Sequence, residues 1–496
     1  MKKRIFTLTL VLIMLLSSCN NAVDEKDESK KGDSVVNSGE TNPDEEKDKT
    51  PYELELERRA AISDELDEIT FENEDFVVLG DGQLQIYNVA EDILGETFND
   101  ALYYRDLRIE DRFKIDLQMN VTSGYVGDEL RNSVLSNDDA YDLVTFGMID
   151  MGMHVLDDLF LDLRAIPALD FSKPWWNSST DELLTVDNRT FLAAGSFNLD
   201  LIGNSHCIFY NIDIAKDYNR EDIYSVVLEG RWTLDKMEEM ITGVWRDLNT
   251  NGEKDGGDLL GLNVGRGNLD HFPLAFGKKL VEPANDGSMI IDKYYDEKLV
   301  SISERLIKLF YYNGDTYCKR DDEGWASLDN VLCQPSHIDN AGSLLNTDID
   351  YAVIPMPKWD ELQKEYHGMV DGASCLQAVP KTADKLELIG TVIEALNAET
   401  WKTVEYPYYE KVLKDRQLQH ESNLQVMDMI YEGRVFDFGY VYGAWTWNSA
   451  GGGAACWIGD MKWWGMEDIT SFATPRLPRW EKHIGGAIDY FKNYED

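Results

Sequence analysis

Along this chain, stretches with every second position apolar alternate with stretches where apolar positions recur every three or four residues. Leu84-Gln85-Ile86-Tyr87-Asn88-Val89 predicts a strand. Glu96 to Lys114 predicts a helix, with Phe98, Leu102, Leu107 and Phe113 near one face. Ile115 to Val121 alternates as a strand, Gly127 to Leu135 reads as a short helix, and Tyr141 to Phe146 as a further strand. Phe191 to Phe197 and His206 to Tyr210 predict two more strands. Thr233 to Leu248 reads as a helix, with Leu234, Met237, Ile241 and Val244 at helical spacing behind Thr233 as N-cap. Lys293 to Tyr312 and Lys385 to Glu405 also read as helices, and Asp350 to Pro355 as an apolar strand ended by proline. Strands alternating with helices imply a largely parallel sheet covered by helices, an α/β protein. No internal repeat is evident.

The start of the chain departs from this pattern. Lys2, Lys3 and Arg4 precede an apolar run from Ile5 to Leu16, too short to span a bilayer stably and flanked as a secretion signal. Leu16-Ser17-Ser18-Cys19 resembles the lipobox of bacterial lipoproteins. That resemblance implies removal of residues 1–18, acylation of Cys19, and a lipid-anchored protein on the extracellular face of the cell membrane. Residues 19–50 are polar and acidic, with too little apolar surface to offset the entropy of ordering, and read as a solvated tether. Residues 51–78 form a lead-in, helical or strand-like, carrying Leu54, Leu56, Ile62 and Leu66. The chain beyond the tether is too long for one core and suggests two lobes. No second stretch is long and apolar enough for a transmembrane helix.

The formal net charge is −45, and most of it lies beyond the tether. Such a surface repels nucleic acid and anionic headgroups and attracts cations. Cys207, Cys318, Cys333, Cys375 and Cys456 match no metal-binding spacing; buried thiols are the expectation for most, with Cys318 and Cys333 the nearest pair for a disulfide.

One loop has the spacing of a calcium site. Asp247, Asn249, Asn251, Asp255 and Asp258 occupy positions 1, 3, 5, 9 and 12, with Gly252 at position 6. The backbone carbonyl of Glu253 supplies the seventh position, and the predicted helix leads in as in an EF-hand. Position 12 is Asp rather than Glu, and position 8 is Lys254 where a paired EF-hand has an apolar residue. The loop reads as a solitary, structural Ca²⁺ site; the bland alternative is a polar Asx-turn loop.

Several segments, taken in order, resemble the extracellular solute-binding proteins of ABC importers, family 1, the class of the maltose-binding protein. They are Asp142-Leu143-Val144-Thr145-Phe146-Gly147, Leu169 to Asn177, Gly230-Arg231-Trp232-Thr233-Leu234-Asp235-Lys236, Ile354-Pro355-Met356-Pro357-Lys358 and Ala378-Val379-Pro380-Lys381. The resemblance implies a two-lobed type II binding-protein fold with an interlobe cleft and several hinge crossings. It implies lobe 1 from 79–205 and 350–399, and lobe 2 from 206–349 and 400–496, with re-entry to the first lobe near Tyr351. It implies capture of a solute, an oligosaccharide by preference, for ABC permease subunits, with no bond broken, at a Gram-positive cell surface.

A sugar site needs aromatic plates and polar side chains. The 13 Trp and 24 Tyr favour that class. Trp445 and Trp447, alternating before Gly451-Gly452-Gly453, are the leading plates, with core packing as the alternative. Trp175 and Trp176, beside Pro174, are further candidates; Asp371 and Asn88 are polar ones, and Gly147-Met148 a weaker one. Trp457, Trp463 and Trp464 read as structural. Two rival functions stay open: a secreted lipoprotein glycoside hydrolase, which needs a pair of carboxylates, and a calcium-bearing surface protein that grips polysaccharide. No nucleophile elbow, zinc-binding helix or phosphate loop is present.

Overall fold

The computed structural model describes residues 51–284, 286–291, 294–319, 327–344, 347–409, 421–443 and 453–495. The strands are β1 (Glu74–Gly80), β2 (Ile115–Val121), β3 (Leu143–Gly147), β4 (His206–Asn211), β5 (Leu260–Gly265), β6 (Glu282–Pro283), β7 (Met289–Ile290), β8 (Thr316–Lys319), β9 (Val331–His337), β10 (Tyr351–Pro355), β11 (Gly368–Met369), β12 (Cys375–Ala378) and β13 (Arg434–Val435). The helices used below are α1 (Pro51–Ala60), α2 (Gly82–Asn88), α3 (Thr97–Phe113), α4 (Val126–Ser136), α5 (Met148–Leu156), α6 (Leu234–Ile241), α7 (Glu297–Ile307), α8 (Leu386–Thr403), α9 (Glu421–Glu432), α10 (Trp457–Trp463) and α11 (Leu477–Asn493).

Two sheets organise the chain. The first has the order β12-β3-β1-β2; β1 runs parallel to β2 and β3, and β12 antiparallel to β3. The second has the order β10-β4-β9-β5-β8, with β4 antiparallel to both its neighbours and β5 parallel to β8 and β9. Each sheet carries helices, which makes two α/β lobes. β4 is buried at all six positions, as a strand covered on both faces must be. β2 closes the first sheet as an edge, with Asp116 facing solvent. Behind it, α3 and α8 pack Ile109, Phe113, Leu388, Ile389, Val392 and Leu396 against Phe76 and Val78.

The chain enters the second sheet at β4 and stays there through β10, which pairs with β4. This corrects the expected boundary near Tyr351: the first sheet is regained only at Cys375, where β12 pairs with β3. Two other expectations change. Leu84 to Val89 is not the first strand; β1 lies upstream, within the supposed lead-in. Asp81 accepts from the Gln83 backbone N–H and caps α2, which buries Leu84, Tyr87 and Asn88 at i, i+3 and i+4. The expected strand Phe191 to Phe197 is an irregular buried segment, bridged to β12 at Ala193 and Gln377.

Elsewhere the spacing holds. α3, β2, α4, β3, β10 and α8 fall within a few residues of expectation, although Leu107 is exposed on α3 while Arg105 is buried. Cys207, Cys333 and Cys375 are buried free thiols, so the Cys318–Cys333 bridge is not formed.

Trp232 ties the end of β10 to the start of α6. Its ring is fully buried and donates Nε1–H to the Pro355 carbonyl at 2.9 Å. Lys358 N–H donates to the Trp232 carbonyl, and Leu234 N–H to that of Lys358. Thr233 caps the helix through the Lys236 N–H. Trp232→Ala removes the ring and leaves the Pro355 carbonyl without this donor; it should cost about 3–5 kcal/mol of stability in urea unfolding.

Candidate functional site

The lobes are joined where three crossing segments lie side by side. Ser205, just before β4, bridges to Val370; β11 pairs in parallel with β13. Asp371 N–H donates to the Asn204 carbonyl at 3.1 Å, and Gly368 N–H to that of Gly433 at 2.9 Å. The crossing is thus a small sheet in its own right.

Strand ends from both lobes converge on it. Asp371 Oδ1 accepts from Ala373 N–H at 2.9 Å and shapes the turn that precedes β12. That turn docks on the N-terminus of α5, with Met148 N–H donating to the Ser374 carbonyl and Ile149 N–H to that of Gly372. A Cβ on Gly372 would lie 2.0 Å from Ile149 Cδ1 and 2.6 Å from the Tyr440 hydroxyl, so a larger residue there would require these side chains to shift. The candidate Asp371 thus lies close to the candidate Gly147-Met148. Next to it, Cys375 N–H donates to Asp200 Oδ2 at 2.6 Å, and burial pushes the Asp200 carboxyl up to about 7. Asp339 accepts the Tyr408 hydroxyl at 2.7 Å and the Tyr87 hydroxyl as well.

Three histidines share the same ground. His206 opens β4 and stands opposite His337, the last residue of β9, so both rings project on one face. Their centroids are 4.4 Å apart, and the His271 ring lies 3.4 Å from that of His206. His337 Nε2 is 3.8 Å from Asp371 Oδ2. Burial holds His206 well below the usual imidazole range, brings His271 down to about 3, and lowers His337 too. Sequence reading missed this cluster: its members are far apart in the chain and match no spacing motif.

An aromatic rim lies beyond the end of β5. Arg266 follows that strand, donates to Asp460 Oδ1 at 2.9 Å, and places its guanidinium 5.3 Å from the Trp463 ring centre. Trp463 and Trp464 are 50% and 61% exposed, which corrects their reading as structural, whereas Trp457 is buried as expected. A cavity of about 430 Å³ adjoins the start of the β11–β13 pair, lined by Val227, Tyr366, His367, Met429 and Gly433.

Three candidates for ligand contact move to the interior. Trp175 and Trp176 are buried in the first lobe, and their Nε1–H groups donate to Glu394 at 2.7 and 2.9 Å. Both rings are committed to α8 and are not plates open to a solute. Asn88 is buried too, with its side-chain and main-chain oxygens accepting from Arg105 at 3.1 and 3.0 Å. Trp445, Trp447 and Cys19 lie outside the described residues.

The loop from Asp247 to Asp258 does not continue directly from the helix before it. α6 ends at Ile241, so the expected helix through Leu248 stops short of the loop. Gly243, at φ +78°, supports the turn away. Asp258 is fully buried; it accepts from Leu248 N–H at 3.1 Å, Asp255 N–H at 3.2 Å and Trp245 Nε1–H at 3.2 Å. Asn249 and Asn251 both donate side-chain N–H to Asp255. Asp247 Oδ2 accepts from Gly252 N–H at 2.8 Å, while its Oδ1 is buried with no hydrogen-bond partner. Lys254 points out of the loop and donates to the Asn313 and Thr316 carbonyls, so it does not compete with a cation. An orphaned buried carboxylate oxygen at position 1 fits a hard cation such as Ca²⁺.

No family model and no curated protein sequence match this chain. Among solved structures it is similar to the ABC substrate-binding protein Lmo0181 from Listeria monocytogenes in complex with cycloalternan, at 11% identity and TM-score 0.49, over 83% of this chain and 99% of that one. It is similar to the maltose/maltodextrin-binding domain MalE from Bdellovibrio bacteriovorus bound to maltotriose, at 13% identity and TM-score 0.48, over 84% and 100%. It is also similar to UgpB from Mycobacterium tuberculosis in complex with glycerophosphocholine, at 12% identity and TM-score 0.47, over 84% and 98%. No ligand-contacting side chain carries over at such identity, and the two-lobed α/β assignment rests on the strand orders described above.

Glu394 offers a test of this interior. It also accepts from Asp170 N–H, and burial raises its carboxyl from 4.5 to about 7. Between those values the folded state holds a proton that the unfolded chain has lost, so stability falls as pH rises through the window and levels above 7. Glu394→Gln removes this dependence. In urea unfolding, wild type should lose about 2–3 kcal/mol relative to the variant between pH 4.5 and 8; a constant gap would refute the assignment.

Proposed function

We propose that this protein is a solute-binding protein that captures a carbohydrate, an oligosaccharide by preference, between its two lobes and delivers it to ABC permease subunits. The observation that supports this reading most is the convergence of strand ends from both sheets on the crossing segments, where Asp371 lies. A carboxylate suits the hydroxyls of a sugar, and exposed rings such as Trp463 its C–H faces. In this reading the protein binds and releases without bond cleavage. It sits on the extracellular face of the membrane, tethered by acyl-Cys19, and the solvated stretch after Cys19 keeps it within reach of its permease.

The same proposal includes one structural calcium ion. Asp247, Asn249, Asn251, Asp255 and Asp258 with the Glu253 carbonyl would hold it. Bound there, the ion would neutralise the loop carboxylates and stiffen the segment between Trp245 and β5.

Calorimetry against a panel of oligosaccharides should give saturable binding with no new product on chromatography; turnover would instead favour a glycoside hydrolase. Trp463→Ala should weaken the best ligand about tenfold with an unchanged melting temperature. A calcium chelator should lower the melting temperature by at least about 2 °C, and Asp247→Asn should abolish that response. An unchanged wild-type melt would remove calcium from the proposal.

A further inference from the structure

We propose that His206, His337 and Asp371 form a binding site for a divalent transition-metal ion of the zinc class, seated on the crossing between the lobes. One ligand atom from each lies within 4.8 Å of the others. In a tetrahedral zinc site, ligand atoms sit roughly 3.4 Å apart, so closure onto a metal requires movements of about 1 Å. Asp371 can supply them, because it stands on a turn and is about one-third exposed, and its Oδ2 is already 3.8 Å from His337 Nε2.

A second observation points independently to a ligand. His206 is only 2% exposed, yet neither of its ring nitrogens has a hydrogen-bond partner. Buried polar nitrogens without partners are rare and costly. A metal bond to one of them would repair the deficit. The antiparallel pairing of β4 with β9 holds His206 and His337 opposite each other, so two of the three donors are preset by the sheet. The His271 ring lies against that of His206, with centroids 3.4 Å apart, which limits rotation of the His206 ring.

The donor set separates this site from the loop at Asp247. Two imidazoles and one carboxylate suit zinc, cobalt or nickel, whereas an all-oxygen loop suits calcium. The site also differs in position. Asp371 belongs to the segment that returns to the first sheet, while both histidines belong to the second, so one ion would pin the crossing. This inference does not depend on the solute being a sugar.

The test uses the full chain in saturating Ca²⁺, titrated with Zn²⁺ or Co²⁺ alone. One Zn²⁺ should bind per chain in calorimetry, and Co²⁺ should give the intense visible absorption of a four-coordinate site. His337→Gln and Asp371→Asn change partly exposed side chains and should each weaken Zn²⁺ about tenfold or more, with unchanged circular dichroism. Asp247→Asn should leave Zn²⁺ affinity intact. Absence of Zn²⁺ binding to wild type, a six-coordinate Co²⁺ spectrum, or wild-type Zn²⁺ affinity retained in both site variants would overturn the proposal. Oligosaccharide binding measured in the same variants is a separate readout, so loss of that function would not count against the metal.

Discussion

The hydrogen bonding between the crossing segments is the constraint on which the rest depends. Had Ser205, Val370 and the β11–β13 pair been ordinary linkers, the two sheets would be joined by slack chain. Instead the main-chain groups of each crossing are satisfied by its neighbours, and a buried backbone has few other choices. This arrangement fixes where β3, β4, β9 and β12 end relative to one another. It also decides which side chains meet: Asp371 with His337, Asp339 with Tyr87 and Tyr408, Asp200 with the start of β12.

Much of the fold was legible because local pattern and tertiary burial agree. β2 alternates cleanly, and α3 and α8 carry continuous apolar faces. The failure at the first strand has a specific cause. Leu84 to Val89 has strand-like residue types, but Asp81 caps a short helix there, and α2 buries a three-and-four spacing that six residues can barely display. The site was harder to read. Trp175 and Trp176 looked like plates because they stand among polar residues, yet the polar group that claims them, Glu394, is distant in sequence. Trp463 sits at the end of an amphipathic helix, where ring exposure depends on what packs above it. The histidines are assembled by strand pairing alone, which no local window contains.

Charge is handled differently in the two regions of candidate chemistry. At the crossing, carboxylates and imidazoles are drawn inward, and burial shifts Asp200 and the histidines toward their neutral forms. In the loop before β5, the carboxylates are held by backbone and amide N–H groups, and Asp255 titrates below its ordinary range because Gly257, Asn251 and Asn249 donate to it. The first environment suits soft or borderline donors, the second hard oxygen chemistry.

The last helix has a mechanical consequence. α11 is 17 residues long, about 25 Å from end to end. Near its start, Trp480 packs on Trp457 and Tyr294 of the second lobe; near its end, Phe491 packs on Phe191 of the first. The residue after the helix, Tyr494, also packs on Phe191 and donates its hydroxyl to the Phe160 carbonyl. A stiff rod anchored on both halves behaves as a strut. With both anchors intact, the halves can swivel about it but cannot splay apart, so any wider gape begins with the release of one aromatic anchor.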